Sequence, residues 1–138
     1  MFTNILLSFK PLFNHKWSAI HKLALWTAVI AIFYLATTSV EHTVQSTFND
    51  KFNHLIAFGV LSFLSHIAFQ NRPWLHWAIA LFSYGLLIEL VQYFLPHRAF
   101  SLLDLATDLL GIVAYVIIFK PLFTPLLSLP PLDYAKKT

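Results

Sequence analysis

Eight polar or charged residues interrupt the apolar stretches of this sequence. They are Asp50, Lys51, His54, Glu89, Gln92, Arg98, Asp104 and Asp108. Carboxylates and an imidazole can exchange protons, ligate a cation or hydrogen-bond to a polar ligand. A charge that faces lipid is costly, so such residues turn towards neighbouring helices and pair there. We therefore treat these eight residues as candidates for lining a ligand pocket.

Helical spacing groups six of the eight residues into pairs that share a helix face. The pairs are Asp50 with His54, Glu89 with Gln92, and Asp104 with Asp108. At a rise of about 1.5 Å per residue, Glu89 and Asp108 lie roughly 9 and 10 Å inside the ends of their predicted helices, and His54 lies roughly 6 Å inside. We expect these three side chains to converge at one depth.

Structural roles compete with a functional one for three of these residues. Asp50 precedes an apolar run and has the position of a helix N-cap. Residues 101–104 have the form of a capping box that ends on Asp104. Arg98 is placed as a cation that reaches the membrane surface. Glu89 and Asp108 lie too deep to cap a helix, so a functional interpretation is favoured for these two.

A metal site is the weaker interpretation of the same residues. His54, Glu89, Asp104 and Asp108 offer nitrogen and oxygen ligands that suit zinc or a harder divalent cation. The sequence has no His-Glu-x-x-His motif, and its lack of cysteine excludes thiolate ligands, disulfides and cysteine nucleophiles. We predict no metal and no cofactor.

The composition identifies the elements that position these residues as membrane helices. Of the 138 residues, 58% are apolar and 11% are charged, and the mean hydropathy is +0.69. Soluble domains have about 45–50% apolar and about 25% charged residues, so a soluble globular domain is excluded. Apolar runs predict an all-α, polytopic membrane protein with four transmembrane helices, over residues 23–40, 52–69, 74–95 and 101–119. The predicted organisation is a basic segment 1–22 that contains an in-plane helix or a basic leader, a domain 23–119 and a proline-rich tail 120–138.

The basic residues predict the orientation. Four spans place seven lysines and arginines on one side and only Lys51 and Arg98 on the other. The positive-inside rule then puts both termini in the cytoplasm and the polar residues at the outer side. Because the basic residues are scattered in short loops, we predict no binding of nucleic acid.

Five short motifs, four of which contain these residues, occur in order along the apolar spans and their loops. They read DKFNH from Asp50, YG from Tyr84, IELVQ from Ile88, P-x-R from Pro96 and S-x-x-D-x-x-x-D-x-x-G from Ser101. Over residues 50–111 this pattern resembles the VanZ-like family. The family typically has asparagine at the position of Asp108 and often tyrosine at that of Phe58. The resemblance implies an integral membrane protein of the bacterial inner membrane, in a family named for a protein linked to teicoplanin resistance. It transfers no established active site.

Three functions remain open at this stage. The first is a pocket for a cell-envelope ligand (a lipid headgroup, glycan or peptide), related to glycopeptide-antibiotic or envelope-stress tolerance. The second is an intramembrane enzyme that acts on a lipid-linked envelope precursor, with Glu89 or Asp108 as acid or base. The third is a scaffold whose polar cluster only holds the helices together. The expected partners are membrane lipids and a lipid-linked precursor, with a homo-oligomer as a further option. The formal charge of the cluster, −2 with His54 neutral, favours a cationic or polyhydroxyl ligand over a simple phosphate site, with Arg98 and Lys51 left to engage one anionic group at the mouth.

Overall fold

The computed structural model describes residues 18–38, 46–96 and 98–128, and within these ranges the chain forms helices and no strands. The elements are α1 (Ser18–Thr37), α2 (Ser46–Ala68), α3 (Trp74–Tyr93), α4 (Leu102–Ala114), a π-helical turn (Tyr115–Phe119) and α5 (Lys120–Ser128). The all-α class is confirmed.

Helix α2 lies at the centre of the bundle. It packs against α1, α3 and α4, most extensively against α4. Its side chains Phe58 and Leu61 are almost fully buried in the core. Ser62 is also buried, and its hydroxyl donates a hydrogen bond to the Phe58 carbonyl oxygen at 2.7 Å. The most polar of the long helices therefore contacts each of the other three.

Three stretches of the described chain are long and apolar enough to cross a membrane: α1, α3 and the continuous segment Leu102–Pro125. The prediction of a multi-pass helical protein is confirmed to this extent. Helix α2 has 23 residues but does not join the three, because its first turns carry Asp50, Lys51 and His54.

Two helices begin earlier in the sequence than predicted. Helix α1 begins at Ser18 rather than residue 23, and α2 begins at Ser46 rather than residue 52. Lys22 and Lys51 therefore lie inside helices and do not precede them. A long cationic side chain does not end a helix, since its charged end can extend to water or to a partner. Helix α3 begins at Trp74 as predicted and ends at Tyr93.

The prediction that the last helix ends at Phe119 is wrong. The π-helical turn leads directly into α5, and the Lys120 N–H donates to the Tyr115 carbonyl oxygen. Pro121 follows in the first turn of α5, and Pro125 lies inside this helix. Because the wider turn has already shifted the hydrogen-bond pattern, Pro121 follows it without ending the helix. The predicted tail therefore begins as a helix. Its residues 129–138 and the segment 1–17, with the predicted in-plane helix, lie outside the described residues.

Candidate ligand pocket

The His54–Asp108 pair joins α2 to α4. The Nδ1 atom of His54 lies 2.7 Å from Oδ1 of Asp108, whose side chain is fully buried. The other carboxylate oxygen, Oδ2, lies above Gly85 of α3, where a Cβ atom would approach it to 2.6 Å. Three helices therefore meet at Asp108, and the missing side chain of Gly85 makes room for its carboxylate.

The second contact between α2 and α4 is an ion pair. Lys51 Nζ lies 3.3 Å from Oδ1 of Asp104, at the start of α4. The Asp104 backbone N–H donates to Oγ of Ser101 at 3.2 Å, so Ser101 is the N-cap of this helix as predicted. The Asp104 side chain faces Lys51, which means that Asp104 does not complete the capping box.

Glu89 of α3 takes the role that the sequence assigns to Asp104. Its side chain is fully buried, and its Oε2 atom accepts a hydrogen bond from the Ser101 backbone N–H at 2.7 Å. In an ordinary capping box the acid comes from the same helix. Here it comes from the preceding helix, so Glu89 fixes the start of α4 against the end of α3.

Arg98 of the loop between α3 and α4 pairs with Asp50 of α2. Its Nη1 atom lies 3.8 Å from Oδ2 of Asp50, and only 13% of its side chain is exposed. Asp50 lies in the second turn of α2, which begins at Ser46, so it does not cap this helix. The expectation that Asp50 caps α2 is wrong because the helix begins about one turn earlier than its apolar residues indicate. That Arg98 lies at the membrane surface stays a prediction.

Gln92 binds a different helix from Glu89. Its Nε2 atom donates to the Ala36 carbonyl oxygen of α1 at 2.9 Å. The Tyr84 hydroxyl donates to the Val29 carbonyl oxygen at 2.6 Å. Two side chains of α3 therefore hydrogen-bond to the backbone of α1. Glu89 and Gln92 are three residues apart, so their side chains point in directions about 60° apart around the helix axis. This difference is enough for them to face different partners.

A cavity of about 550 Å³ opens between α1, α2 and α3 beside these contacts. Its polar end is lined by Asp50, Asn53, His54, Gln92 and Arg98, and its apolar walls by residues that include Ile32, Leu35, Ala36, Ile56, Ala57, Val60 and Ile88. From Asp50 to Val60 the lining follows α2 for roughly 15 Å. Four of the eight predicted residues line the cavity. The other four, Lys51, Glu89, Asp104 and Asp108, form the contacts behind its polar end.

The sequence was also compared with those of known families. A family model described as VanZ/LLP1 matches residues 3–125. The chain belongs to the VanZ/LLP1 family. The matched range includes all of the predicted pocket residues and the segment 50–111, which carries the motifs that resemble the VanZ-like family. No curated protein and no solved structure matches the chain.

This VanZ/LLP1 protein also groups three residues that could ligate a metal. One ring nitrogen of His54 and one carboxylate oxygen each of Asp50 and Asp104 lie within 4.8 Å of one another. This set replaces the ligand set considered from the sequence, because Glu89 binds Ser101 and Asp108 binds His54. Asp50 and Asp104 already face the cations Arg98 and Lys51, which oppose the charge of a metal ion. That the protein binds no metal stays a prediction.

A second buried polar group in the VanZ/LLP1 bundle has no counterpart among the predictions. His66 and Tyr115 are both buried, and His66 Nδ1 lies 2.9 Å from the Tyr115 hydroxyl. The indole of Trp77 stacks on His66 with ring centroids 6.4 Å apart. Trp77 itself is only 5% exposed and belongs to the core of the bundle. His66 lies twelve residues after His54, roughly 18 Å further along α2. Its position in an apolar run is the signal that could have identified it.

Proposed function

We propose that this VanZ/LLP1 protein is a four-span protein of the bacterial inner membrane that binds a lipid of the cell envelope in the cavity between α1, α2 and α3. In the proposed topology both termini are cytoplasmic and the polar end of the cavity lies in the outer leaflet. Helix α2 supplies the fourth span, because neighbouring helices shield its polar residues. The excess of basic residues on the other side supports this orientation.

The observation that carries the proposal is the division of the cavity into a polar end and apolar walls. Its volume of about 550 Å³ lies within the range of small-molecule sites, about 300–1,000 Å³. A lipid has the same division, with a polar headgroup and apolar chains. The apolar walls would contact the chain while Asp50, Asn53, His54, Gln92 and Arg98 contact the headgroup. A free glycan would leave these walls without apolar contacts.

A cavity-filling variant with a matched control tests the proposal. Ala36 lines the cavity, whereas Ala31 is an exposed residue of the same helix and does not. Purified wild-type protein and the Ala31→Phe variant should retain the same lipids through detergent exchange, as measured by native mass spectrometry. The Ala36→Phe variant should lose most of the retained lipid, because a phenyl ring occupies the chain site. Equal retention by the two variants would contradict the proposal and leave the polar cluster as a structural feature.

An intramembrane enzyme is a second candidate, favoured by the His54–Asp108 contact. A carboxylate bonded to Nδ1 of a histidine fixes the ring and its tautomer, as in acid–base catalysis. His54 lines the cavity, whereas Glu89 and Asp108 are fully buried behind it. If the protein acts on a lipid-linked substrate, His54 is therefore the acid or base and Asp108 orients it.

Turnover separates this candidate from binding alone. Extracted membrane lipids would be incubated with the purified protein and followed over time by mass spectrometry. An enzyme would convert one lipid species progressively, and His54→Gln would stop the conversion. A retained lipid that stays chemically unchanged for hours supports binding.

A further inference from the structure

Arg98 lines the polar end of the cavity and has a buried hydrogen-bond donor. Its Nε atom is buried and has no hydrogen-bond partner among the residues that the structure describes. Its Nη1 atom lies 3.8 Å from Asp50, which is longer than a hydrogen bond. A buried donor without an acceptor is costly. Because Arg98 lines the cavity, a small rotation of its side chain would let a ligand group that accepts hydrogen bonds remove this cost.

The carboxylates behind the polar end each have one partner, although Oε1 of Glu89 and Oδ2 of Asp108 are buried without a hydrogen-bond partner among the described residues. Glu89 accepts from the Ser101 N–H, Asp104 pairs with Lys51, and Asp108 pairs with His54. None of these three carboxylates lines the cavity. They therefore belong to the helix contacts and not to the surface that a ligand meets.

The surface of the cavity is consequently less acidic than the sequence indicates. Among the described residues, its ionisable lining consists of Asp50, His54 and Arg98. The formal charge of this set is 0 with His54 neutral and +1 with His54 protonated, compared with −2 for the whole cluster. The argument from the sequence for a cationic ligand does not hold for the cavity itself.

We infer that the bound lipid carries a phosphate group, which Arg98 binds through Nε and a neighbouring guanidinium N–H. This inference rests on the proposed lipid pocket and names the class of its ligand. The planar guanidinium matches two phosphate oxygens at once, which a lysine cannot do. Asn53 and His54 line the same end and supply further hydrogen-bonding groups. Lys51 is not an equivalent site, because it contacts Asp104 and does not line the cavity.

Three probes with matched parts test the inference. Dioctanoyl phosphatidic acid has both chains and phosphate, dioctanoylglycerol has the same chains without phosphate, and glycerol 3-phosphate has no chains. Their binding to the purified wild-type protein would be measured in detergent by microscale thermophoresis. We expect phosphatidic acid to bind at least about tenfold more tightly than dioctanoylglycerol, since hydrogen bonds to charged groups are worth about this factor. Glycerol 3-phosphate should bind more weakly than phosphatidic acid.

Arginine variants test whether Arg98 causes the preference for phosphatidic acid over dioctanoylglycerol. Arg98→Gln should reduce the affinity for phosphatidic acid to that for dioctanoylglycerol. Arg98→Lys keeps the charge without the planar group and should lose part of the preference. Arg72→Gln is the matched control, because Arg72 is an exposed residue of the loop between α2 and α3. It should leave all three affinities unchanged.

Failure of this inference differs from failure of the lipid pocket. Equal binding of dioctanoylglycerol and phosphatidic acid, lost in Ala36→Phe, would overturn the phosphate inference and keep the pocket. Glycerol 3-phosphate that binds as tightly as phosphatidic acid would make the ligand a free phosphate compound and overturn the assignment to a lipid. If neither dioctanoyl compound binds to the wild-type protein, both the inference and the pocket are wrong.

Discussion

Oδ2 of Asp108 occupies the space in which a side chain at position 85 would begin. A Cβ atom built on Gly85 lies 2.6 Å from this oxygen and 3.1 Å from Cζ of Phe58. Both neighbours are buried, and the Asp108 carboxylate is held by His54. The glycine of α3 and the carboxylate of α4 are therefore complementary in shape, and neither position can change freely without the other.

Replacement of Gly85 by alanine should destabilise the bundle. The added methyl group would push the Asp108 carboxylate away from His54 or displace Phe58. Overpacking of this kind costs about 1–3 kcal/mol. Thermal unfolding in detergent, followed by tryptophan fluorescence, should show a lower Tm for Gly85→Ala.

Gly59 provides the control for this substitution. A Cβ atom at Gly59 meets nothing within 4 Å. Gly59→Ala should therefore leave the Tm unchanged or raise it slightly, because alanine favours the helix over glycine. A wild-type Tm for Gly85→Ala would show that Asp108 can move away without loss, and would contradict the packing described for these helices.

Asparagine should replace Asp108 with little loss of stability. Its amide has nearly the same shape as the carboxylate and can still hydrogen-bond to Nδ1 of His54. Asp108→Leu removes this hydrogen bond and places a branched side chain against Gly85. An interhelical hydrogen bond in a membrane is worth about 0.6 kcal/mol and at most about 1.7, so the order of Tm should be wild type, Asp108→Asn and then Asp108→Leu. An Asp108→Leu variant as stable as wild type would exclude a structural role for the pair.

The contact between His66 and Tyr115 should contribute to stability without affecting the pocket. Tyr115→Phe removes the hydroxyl that lies 2.9 Å from His66, and we expect a loss of about 1 kcal/mol. Tyr93, which is 66% exposed, supplies the control variant Tyr93→Phe, which should keep the wild-type Tm. Lipid retention should be the same in all three proteins, because Tyr115 does not line the cavity between α1, α2 and α3. Loss of lipid in Tyr115→Phe alone would contradict this separation.

Single cysteines can test the topology directly, because the chain has none of its own. Asn71→Cys lies in the loop between α2 and α3, and Ala99→Cys lies in the loop between α3 and α4. With cytoplasmic termini and four spans, a membrane-impermeant maleimide should label Ala99→Cys in spheroplasts. It should label Asn71→Cys only after the membrane is permeabilised. The reverse pattern would mean that the orientation is inverted or that α2 does not span the membrane. Labelling of both cysteines in spheroplasts would exclude α3 as a span, because α3 alone joins the two loops.

The helical class could be predicted from the sequence, as could most of the polar residues that pair between helices, because both depend on local properties. Apolar runs identify helices, and charges inside such runs must find partners. The partners themselves could not be predicted. His54 binds Asp108, 54 residues later, and no spacing rule connects residues on separate helices.

Ser101 illustrates the same limit. Its role as N-cap follows from the local motif and is confirmed. The acid that accepts its backbone N–H is Glu89, on another helix, and not Asp104. The sequence favours the nearer carboxylate because it describes one helix at a time. The lining of the cavity was unpredictable for the same reason, since the packing of α1 and α3 on α2 decides which charges reach its surface.

The central position of α2 has a consequence for how the chain enters the membrane. On scales derived from translocon insertion, a single aspartate or lysine at the middle of a helix costs about 2.5–3.5 kcal/mol, and less near its ends. Helix α2 carries Asp50 and Lys51 near its start and His54 one turn later. Alone it would partition poorly from the translocon into lipid. In the proposed topology it inserts together with α3 as a hairpin, and its polar start becomes stable only when α4 arrives and supplies Asp104 and Asp108. In a chain truncated before α4, the polar start of α2 would therefore lack its partners, and we expect membrane proteases to degrade such a chain.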